Sequence, residues 1–343
     1  MLNKIQNGVY TVAEMSANHA SDIENAFKIV HAAKNAGADC LKIQTYTADS
    51  MTINCDNEYF RIKGGLWDGY NLYCLYTEAS TPYSWQAEIK AECEKVGIDF
   101  LSTPFDEAGA DFLEKLEVEA YKVASFELVH IPLLKHIARK GKPMIVSCGM
   151  GGEEEIGDAV DVMTGEGLSR EQIILLKCTS EYPARFEDMN LLTIPDMEKR
   201  FGCRVGFSDH SMGMAAPAVA VALGACVVEK HFCLSRAIKN PDSEFSMEPH
   251  EFAAMVQCVK EAAKLRGNAS YEPCESEKAS MVFRRSLFVV KDVKQGELLT
   301  TDNVRCIRPG YGMKPKFLNE VLGKRAAGAI VRGTPLNDEM IQK

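Results

Sequence analysis

The sequence predicts an α/β protein: an eight-stranded (β/α)8 TIM barrel followed by a small, mostly β C-terminal module. Three observations carry this. One unit recurs eight times up to residue 267: a short β-branched apolar run, a polar loop, then apolar residues at i, i+3 and i+4. Most of the runs are continuously apolar rather than alternating, as parallel strands covered by helices must be. Beyond Gly267 the helical pattern stops, and short apolar runs alternate with Gly-rich turns.

The eight strands are expected at 9–15, 40–46, 99–103, 120–125, 144–148, 173–178, 204–208 and 226–231, with helices filling the gaps. The first helix is expected from Asp22 to Asn35, opened by a capping box in Ser21-Asp22-Ile23-Glu24 and closed at Gly37. An insertion at 48–81 separates the second strand from its helix. Its length and its two Gly-rich turns mark a lid or substrate wall on the face where barrel chemistry occurs. The expected division is a barrel at 1–268, a polar linker at 269–283 and a compact β module at 284–343, which opens with Arg284-Arg285-Ser286-Leu287-Phe288-Val289-Val290.

Composition narrows the function. Lys plus Arg total 39 against 48 Asp plus Glu, a net charge of −9, which argues against a nucleic-acid binder held by phosphate contacts. The first residues carry no apolar signal core, and the longest apolar stretch, 214–228, is broken by Pro217 and Gly224. A cytoplasmic protein without a membrane span is expected. The chain has 12 cysteines but no CxxC pair, and Cys40, Cys178, Cys203 and Cys226 lie in or beside strand runs, so they read as reduced core thiols.

Catalytic groups of a barrel stand at the C-terminal ends of its strands. The polar residues there are Glu14, Asn18 and His19 on strand one, Lys42 and Gln44 on strand two, and Lys122, Ser125 and Glu127 on strand four. Ser147 closes strand five; Lys177, Thr179 and Ser180 close strand six; Ser208, Asp209 and His210 close strand seven; Glu229, Lys230 and His231 close strand eight. An unpaired ammonium in an apolar strand is costly. Lys42, Lys122, Lys177 and Lys230 therefore either pair with Glu14, Glu127 and Glu229 or surround an anion such as a phosphate, and four on one rim favour the anion. His210 and His231 end neighbouring strands and are a candidate metal pair whose other positions fall to substrate and water. The run Ser147-Cys148-Gly149-Met150-Gly151-Gly152 before Glu153 either offers backbone N–H groups to a phosphate or is a plain tight turn.

These stretches resemble a known family. Ala13-Glu14-Met15-Ser16-Ala17-Asn18-His19, Lys42-Ile43-Gln44-Thr45, Tyr121-Lys122-Val123-Ala124-Ser125, Ser208-Asp209-His210, Glu229-Lys230-His231-Phe232 and Arg308-Pro309-Gly310 are similar to the sialic acid synthase group, the phosphoenolpyruvate-dependent nonulosonic acid synthases. Within it, Lys63-Gly64-Gly65-Leu66-Trp67-Asp68, Leu75-Tyr76 and Thr81-Pro82-Tyr83 look like the pseudaminic acid branch rather than the N-acetylneuraminate branch.

The resemblance implies a metal-dependent transferase with a TIM barrel and a C-terminal antifreeze-like (SAF) domain. It places metal ligands at His210 and His231, for Mn²⁺ or Mg²⁺ with Co²⁺ as a third candidate. It places phosphoenolpyruvate contacts at Lys42, Lys122, Ser125, Ser147, Ser180 and Ser208. Amino-sugar contacts fall at Gln44, Glu127, Tyr182 and Asp242, with Glu14 near the reacting carbons and Glu14 or Glu127 as the base. It further implies a domain-swapped homodimer in which Arg308 of the partner subunit closes the barrel mouth. Two positions depart from the family pattern: Ala20-Ser21 stands where Asn-Gly or Glu-Gly is common, and Ser180 where Asn is often found. Other readings are an N-acetylneuraminate or legionaminate synthase, a Schiff-base aldolase and a non-catalytic glycan binder.

Overall fold

The computed structural model describes residues 1–6 and 8–342; Lys343, the last residue expected in the tail module, lies outside the described residues. The chain divides into two compact units, Met1–Gly267 and Asn268–Lys343. The first holds eight parallel strands: β1 (Tyr10–Glu14), β2 (Cys40–Thr45), β3 (Asp99–Pro104), β4 (Tyr121–Val123), β5 (Met144–Ser147), β6 (Ile173–Cys178), β7 (Arg204–Asp209) and β8 (Val227–His231). Their order is β3-β2-β1-β8-β7-β6-β5-β4. β3 and β4, at the two ends of that order, pack side by side, so the sheet curls into a barrel.

One helix follows each strand: α1 (Ile23–Asn35), α2 (Tyr83–Val96), α3 (Glu107–Lys115), α4 (Ile131–Ala138), α5 (Glu153–Gly165), α6 (Thr193–Phe201), α7 (Ala215–Ala222) and α8 (Pro249–Arg266). α1 shows why these segments are helical. It buries Ala26, Ile29, Val30 and Ala33, one stripe at i, i+3, i+4 and i+7. Its start differs from the expected capping box. Asp22 alone caps it, accepting from the Glu24 N–H at 2.9 Å. Ser21 sits in the left-handed region at φ 56° and donates its N–H to His19 Nδ1 instead.

Alternation along the strands sorts the barrel into two cores. One parity fills the lumen with Tyr10, Val12, Cys40, Leu101, Ala120, Ile145, Ile174, Leu176 and Val227. The other parity, including Leu41, Val123, Val146, Leu175 and Val228, packs outward against the helices. Gly206 belongs to the lumen set. A Cβ there would lie 2.6 Å from Leu176 Cδ2 and 2.7 Å from the Val227 carbonyl oxygen, so only glycine lets β7 approach its neighbours.

The insertion after β2 forms short helices at Ala48–Met51 and Leu72–Ala79 around a hairpin-like turn closed by the Arg61–Asn71 bridge. In the second unit β9 (Ser286–Val289) and β10 (Val304–Ile307) pair antiparallel. They close over Leu287, Val289, Leu299, Val304, Val321 and Leu336. Among the described residues no helix is long and apolar enough to cross a membrane.

Candidate active site

Carrying the lumen parity toward the strands' C-terminal ends replaces apolar residues with a charged layer: Glu14, Lys42, Lys122, Ser147, Cys178, Ser208 and Glu229. Gln44, His210 and His231 stand one layer higher. Strand register sets Glu14 beside both Lys42 and His231.

The layer is held by ion pairs out of water. Lys42 Nζ lies 2.8 Å from Glu14 Oε2 and 3.3 Å from Glu229 Oε1, and Lys122 Nζ lies 3.9 Å from the same Glu229 oxygen. Lys122 donates to Ser147 Oγ at 2.6 Å and to the Val123 carbonyl at 2.9 Å. Gln44 Nε2 bridges Glu14 Oε1 and Ser16 Oγ, each at 2.9 Å, and Ser208 donates to Glu229 Oε1 at 3.4 Å. Burial, joined by repulsion from Glu229, raises the Glu14 pKa, whereas Glu229 is held below the usual range because Lys122 and Lys42 outweigh its burial. Glu229 Oε2 is buried without a hydrogen-bond partner.

Beside Lys122 lies a hydroxyl cluster. Ser125 Oγ accepts from the Gly149 N–H at 3.1 Å. A Cβ on Gly149 would fall 2.2 Å from Ser180 Oγ and 2.7 Å from Ser125 Oγ, so the glycine is what lets the two serines meet. The rest of that turn answers to its own chain: the Gly151 N–H donates to the Cys148 carbonyl and the Gly152 N–H to Glu155 Oε2 at 2.8 Å. The start of α5 is thus capped by a carboxylate of its own, the geometry of a tight turn.

The four-lysine rim needs correction. Lys42 and Lys122 face the lumen, but Lys177 and Lys230 have the outward parity. Lys177 donates to the Cys178 carbonyl at 3.1 Å. Lys230 forms a buried ion pair with Asp209 and donates to the Ser211 carbonyl at 2.6 Å. Replacing Lys230 by Met strands the Asp209 carboxylate and is expected to lower unfolding stability by about 3–5 kcal/mol. Urea titration checks this, and an undiminished midpoint would contradict the outward placement. His19 is likewise structural. Burial holds its pKa down to about 4, and its ring meets Thr81 Oγ1 at 3.3 Å and the edge of Trp85.

Above the charged layer the His210 and His231 rings lie 5.6 Å apart. His210 Nδ1 donates to the Thr179 carbonyl at 3.0 Å, which leaves its Nε2 as the lone pair. Burial, with His210 and Lys42 nearby, keeps His231 neutral, and its Nδ1 is buried without a partner. Burial works to lower the His210 pKa, but Cys178 and the Thr179 carbonyl outweigh it and raise it. Two fixed imidazoles at this spacing fit a divalent ion with open positions; among the described residues no group of three His, Cys, Asp or Glu forms a complete cage. Tyr182 lies over His210 at 4.2 Å, and Phe245 meets His231 at 4.8 Å. Asp242 accepts from the Ala17 N–H at 3.0 Å, tying the loop after β8 to the loop after β1.

Glu127 stands on a single turn, Ser125–Glu127, that ends β4 earlier than the expected residue 125. Burial raises its pKa to about 7 against the pull of Lys122, and Oε2 has no partner. Arg308 belongs to the second unit, exposed on a loop held by the Gly310 N–H to the Val282 carbonyl at 2.8 Å. Residues that sequence reasoning missed as members of the site are Cys178, which lies 3.8 Å from His210 Nδ1, and Thr103, which accepts from Lys42 at 3.4 Å. Lumen parity was the signal that finds both.

Such a lumen defines a class: a (β/α)8 enzyme that sets an ammonium and hydroxyl cluster beside a pair of imidazoles. Comparison with known proteins is specific. The NeuB family model matches residues 29–271 and the SAF domain model residues 284–342. The chain is 46% identical to a pseudaminic acid synthase of Campylobacter jejuni over 96% of each chain, and 33% identical to an N,N'-diacetyllegionaminic acid synthase of Legionella pneumophila over 97% of this chain and 94% of the other. The crystal structure of an N-acetylneuraminic acid synthetase from Leptospira borgpetersenii superposes with a TM-score of 0.72 at 30% identity, covering 80% of this chain and 90% of that one. The chain belongs to the NeuB family.

Proposed function

We propose that the chain carries out the pseudaminic acid synthase reaction: phosphoenolpyruvate, 2,4-diacetamido-2,4,6-trideoxy-L-altrose and water give pseudaminic acid and phosphate. The observation that carries this reading is one lumen holding both an ammonium and hydroxyl cluster and an imidazole pair, in a chain whose likeness to a pseudaminic acid synthase runs nearly end to end.

Lys122, Ser147, Ser125 and Ser180 bind the phosphate and carboxylate of phosphoenolpyruvate, with Lys42 and Ser208 on its other side. Gln44, Tyr182 and Asp242 orient the open-chain sugar so that its aldehyde carbon meets C3 of the enol. When bound at His210 and His231, a divalent ion, Mn²⁺ or Mg²⁺, supplies Lewis acidity to the aldehyde oxygen. The enol forms the new C–C bond, and the aldehyde oxygen takes a proton and becomes a hydroxyl. Glu127 removes a proton from the water that adds to the electron-poor C2. The C2–O bond to phosphate then breaks, phosphate leaves with that electron pair and takes up the remaining proton of the added oxygen, which becomes the ketone. Glu14, fixed by Lys42 and Gln44, stays close to the reacting carbons.

The reading includes a domain-swapped homodimer in the cytoplasm, with Arg308 of the partner subunit completing the sugar site. Among the described residues Arg308 makes no ion pair, and Ser286 Oγ fixes its loop by accepting from the Gly312 N–H at 2.9 Å. The test is phosphate release from phosphoenolpyruvate with the altro sugar, N-acetylmannosamine and the legionaminate precursor offered separately, each with Mn²⁺ and with EDTA. Metal-dependent release with the altro sugar alone is expected. Release with another sugar moves the chain to that branch, release in EDTA removes the metal, and a fully active monomer on size exclusion removes the shared site.

A further inference from the structure

The insertion after β2 carries Trp67 to the rings that cover the imidazole pair, and hydrogen bonds within the turn hold it there. The Ile62 N–H donates to the Tyr70 carbonyl and the Gly69 N–H to the Ile62 carbonyl, each at 2.9 Å, while Gly64, Gly65 and Gly69 turn the chain at φ 81°, 76° and 82°. At the tip Trp67 is half-buried, and its Nε1 donates to the Pro241 carbonyl at 3.0 Å. Its ring meets Tyr182 at 5.6 Å and Phe245 at 6.2 Å, the two rings that cover His210 and His231. The insertion's other aromatics are not part of this wall: Tyr73 bonds Asp49, Tyr70 is exposed, and Tyr76 packs on Tyr46 within reach of the Glu127 charge.

The result is a three-ring wall beginning at the imidazole pair and ending at Trp67, whose single polar atom is already satisfied. An extended carbon chain advances about 1.2 Å per bond, so a sugar whose C1 oxygen sits at the imidazoles carries its C6 about 6 Å along this wall. A C6 methyl buries there. A C6 hydroxyl set against the Trp67 ring loses water, and the ring's one N–H, already given to the Pro241 carbonyl, is no partner for it.

Resting on the proposed reaction, we infer that Trp67 is a specificity-determining residue that selects a 6-deoxy acceptor over its 6-hydroxy counterpart. The experiment compares kcat/KM for the 6-deoxy diacetamido altrose and the same sugar bearing a 6-hydroxyl, in wild type, Trp67→Ala, Trp67→Gln and Trp67→Phe. Wild type is expected to favour the 6-deoxy sugar roughly 10- to 100-fold. Trp67→Ala is expected to raise the KM of the 6-deoxy sugar about tenfold, leave the KM of phosphoenolpyruvate unchanged and collapse the preference. Trp67→Gln, which places an amide beside C6, is expected to favour the hydroxyl sugar relative to wild type, and Trp67→Phe to keep the preference. A wild-type ratio retained in both Trp67→Ala and Trp67→Gln overturns the inference while the proposed reaction stands. Wild type that consumes neither altro sugar overturns both.

Discussion

Replacing His210 or His231 by Ala is expected to lower phosphate release by about 10³-fold or more at saturating phosphoenolpyruvate and sugar. The two rings offer different things to a cation. His210 is locked by the Thr179 carbonyl so that Nε2 is free, whereas His231 is kept uncharged by its surroundings and packs edge-on to Phe245. In the proposed metal seat each variant removes one of two imidazole ligands, so Mn²⁺ binding by calorimetry is expected to disappear in both. The fold is expected to survive, because neither ring belongs to the apolar lumen core below the charged layer. A variant with a native melting profile and no Mn²⁺ heat supports the metal seat. Wild-type turnover in either variant would remove it.

The barrel was legible in the sequence because its evidence is redundant: eight apolar runs, each followed by a helical stripe, and 173–178 coincides with β6 while the other strands differ by one to three residues in all. The ends moved where local chemistry intervened. At 124–127 the chain turns after Val123 instead of continuing, which is what aims Glu127 at the site. The site was legible residue by residue but not as a layer. Collecting polar residues at strand ends treats neighbours as equivalent, yet adjacent side chains point to opposite faces. Lys230 and Glu229 are consecutive and buried, and one pairs with Asp209 behind the sheet while the other pairs with Lys42 in front of it. Counting by twos from Tyr10, Cys40 and Val227 separates them. Neither the Trp67 to Pro241 bond nor the Asp242 to Ala17 bond was legible, because each joins segments more than 170 residues apart in a chain whose loop geometry no periodicity encodes.

Replacing Glu127 by Gln is expected to lower kcat by roughly 10²–10⁴-fold and to abolish the acidic limb of the pH profile. Burial raises the carboxyl to about 7, with Lys122 opposing, so the group is largely protonated below that pH and ionised above it. A base must be ionised to act, so kcat/KM of the free enzyme is expected to rise with pH through a midpoint near 7 and then level. Stability runs the other way. A carboxyl whose folded pKa lies above its unfolded value favours folding while protonated, so its contribution is full below its ordinary value of 4.5 and fades as pH rises through about 7. Activity therefore climbs over the window in which this group's contribution to stability falls, and Gln, which mimics the protonated form, flattens both trends. Titrating Glu14 instead predicts a different pattern, since its ion pair with Lys42 at 2.8 Å ties its charge to the proposed phosphoenolpyruvate site. A Glu127→Gln enzyme that keeps the acidic limb would transfer the base role to Glu14; one that loses the limb and retains phosphoenolpyruvate binding fixes Glu127 as the group that takes the proton from water.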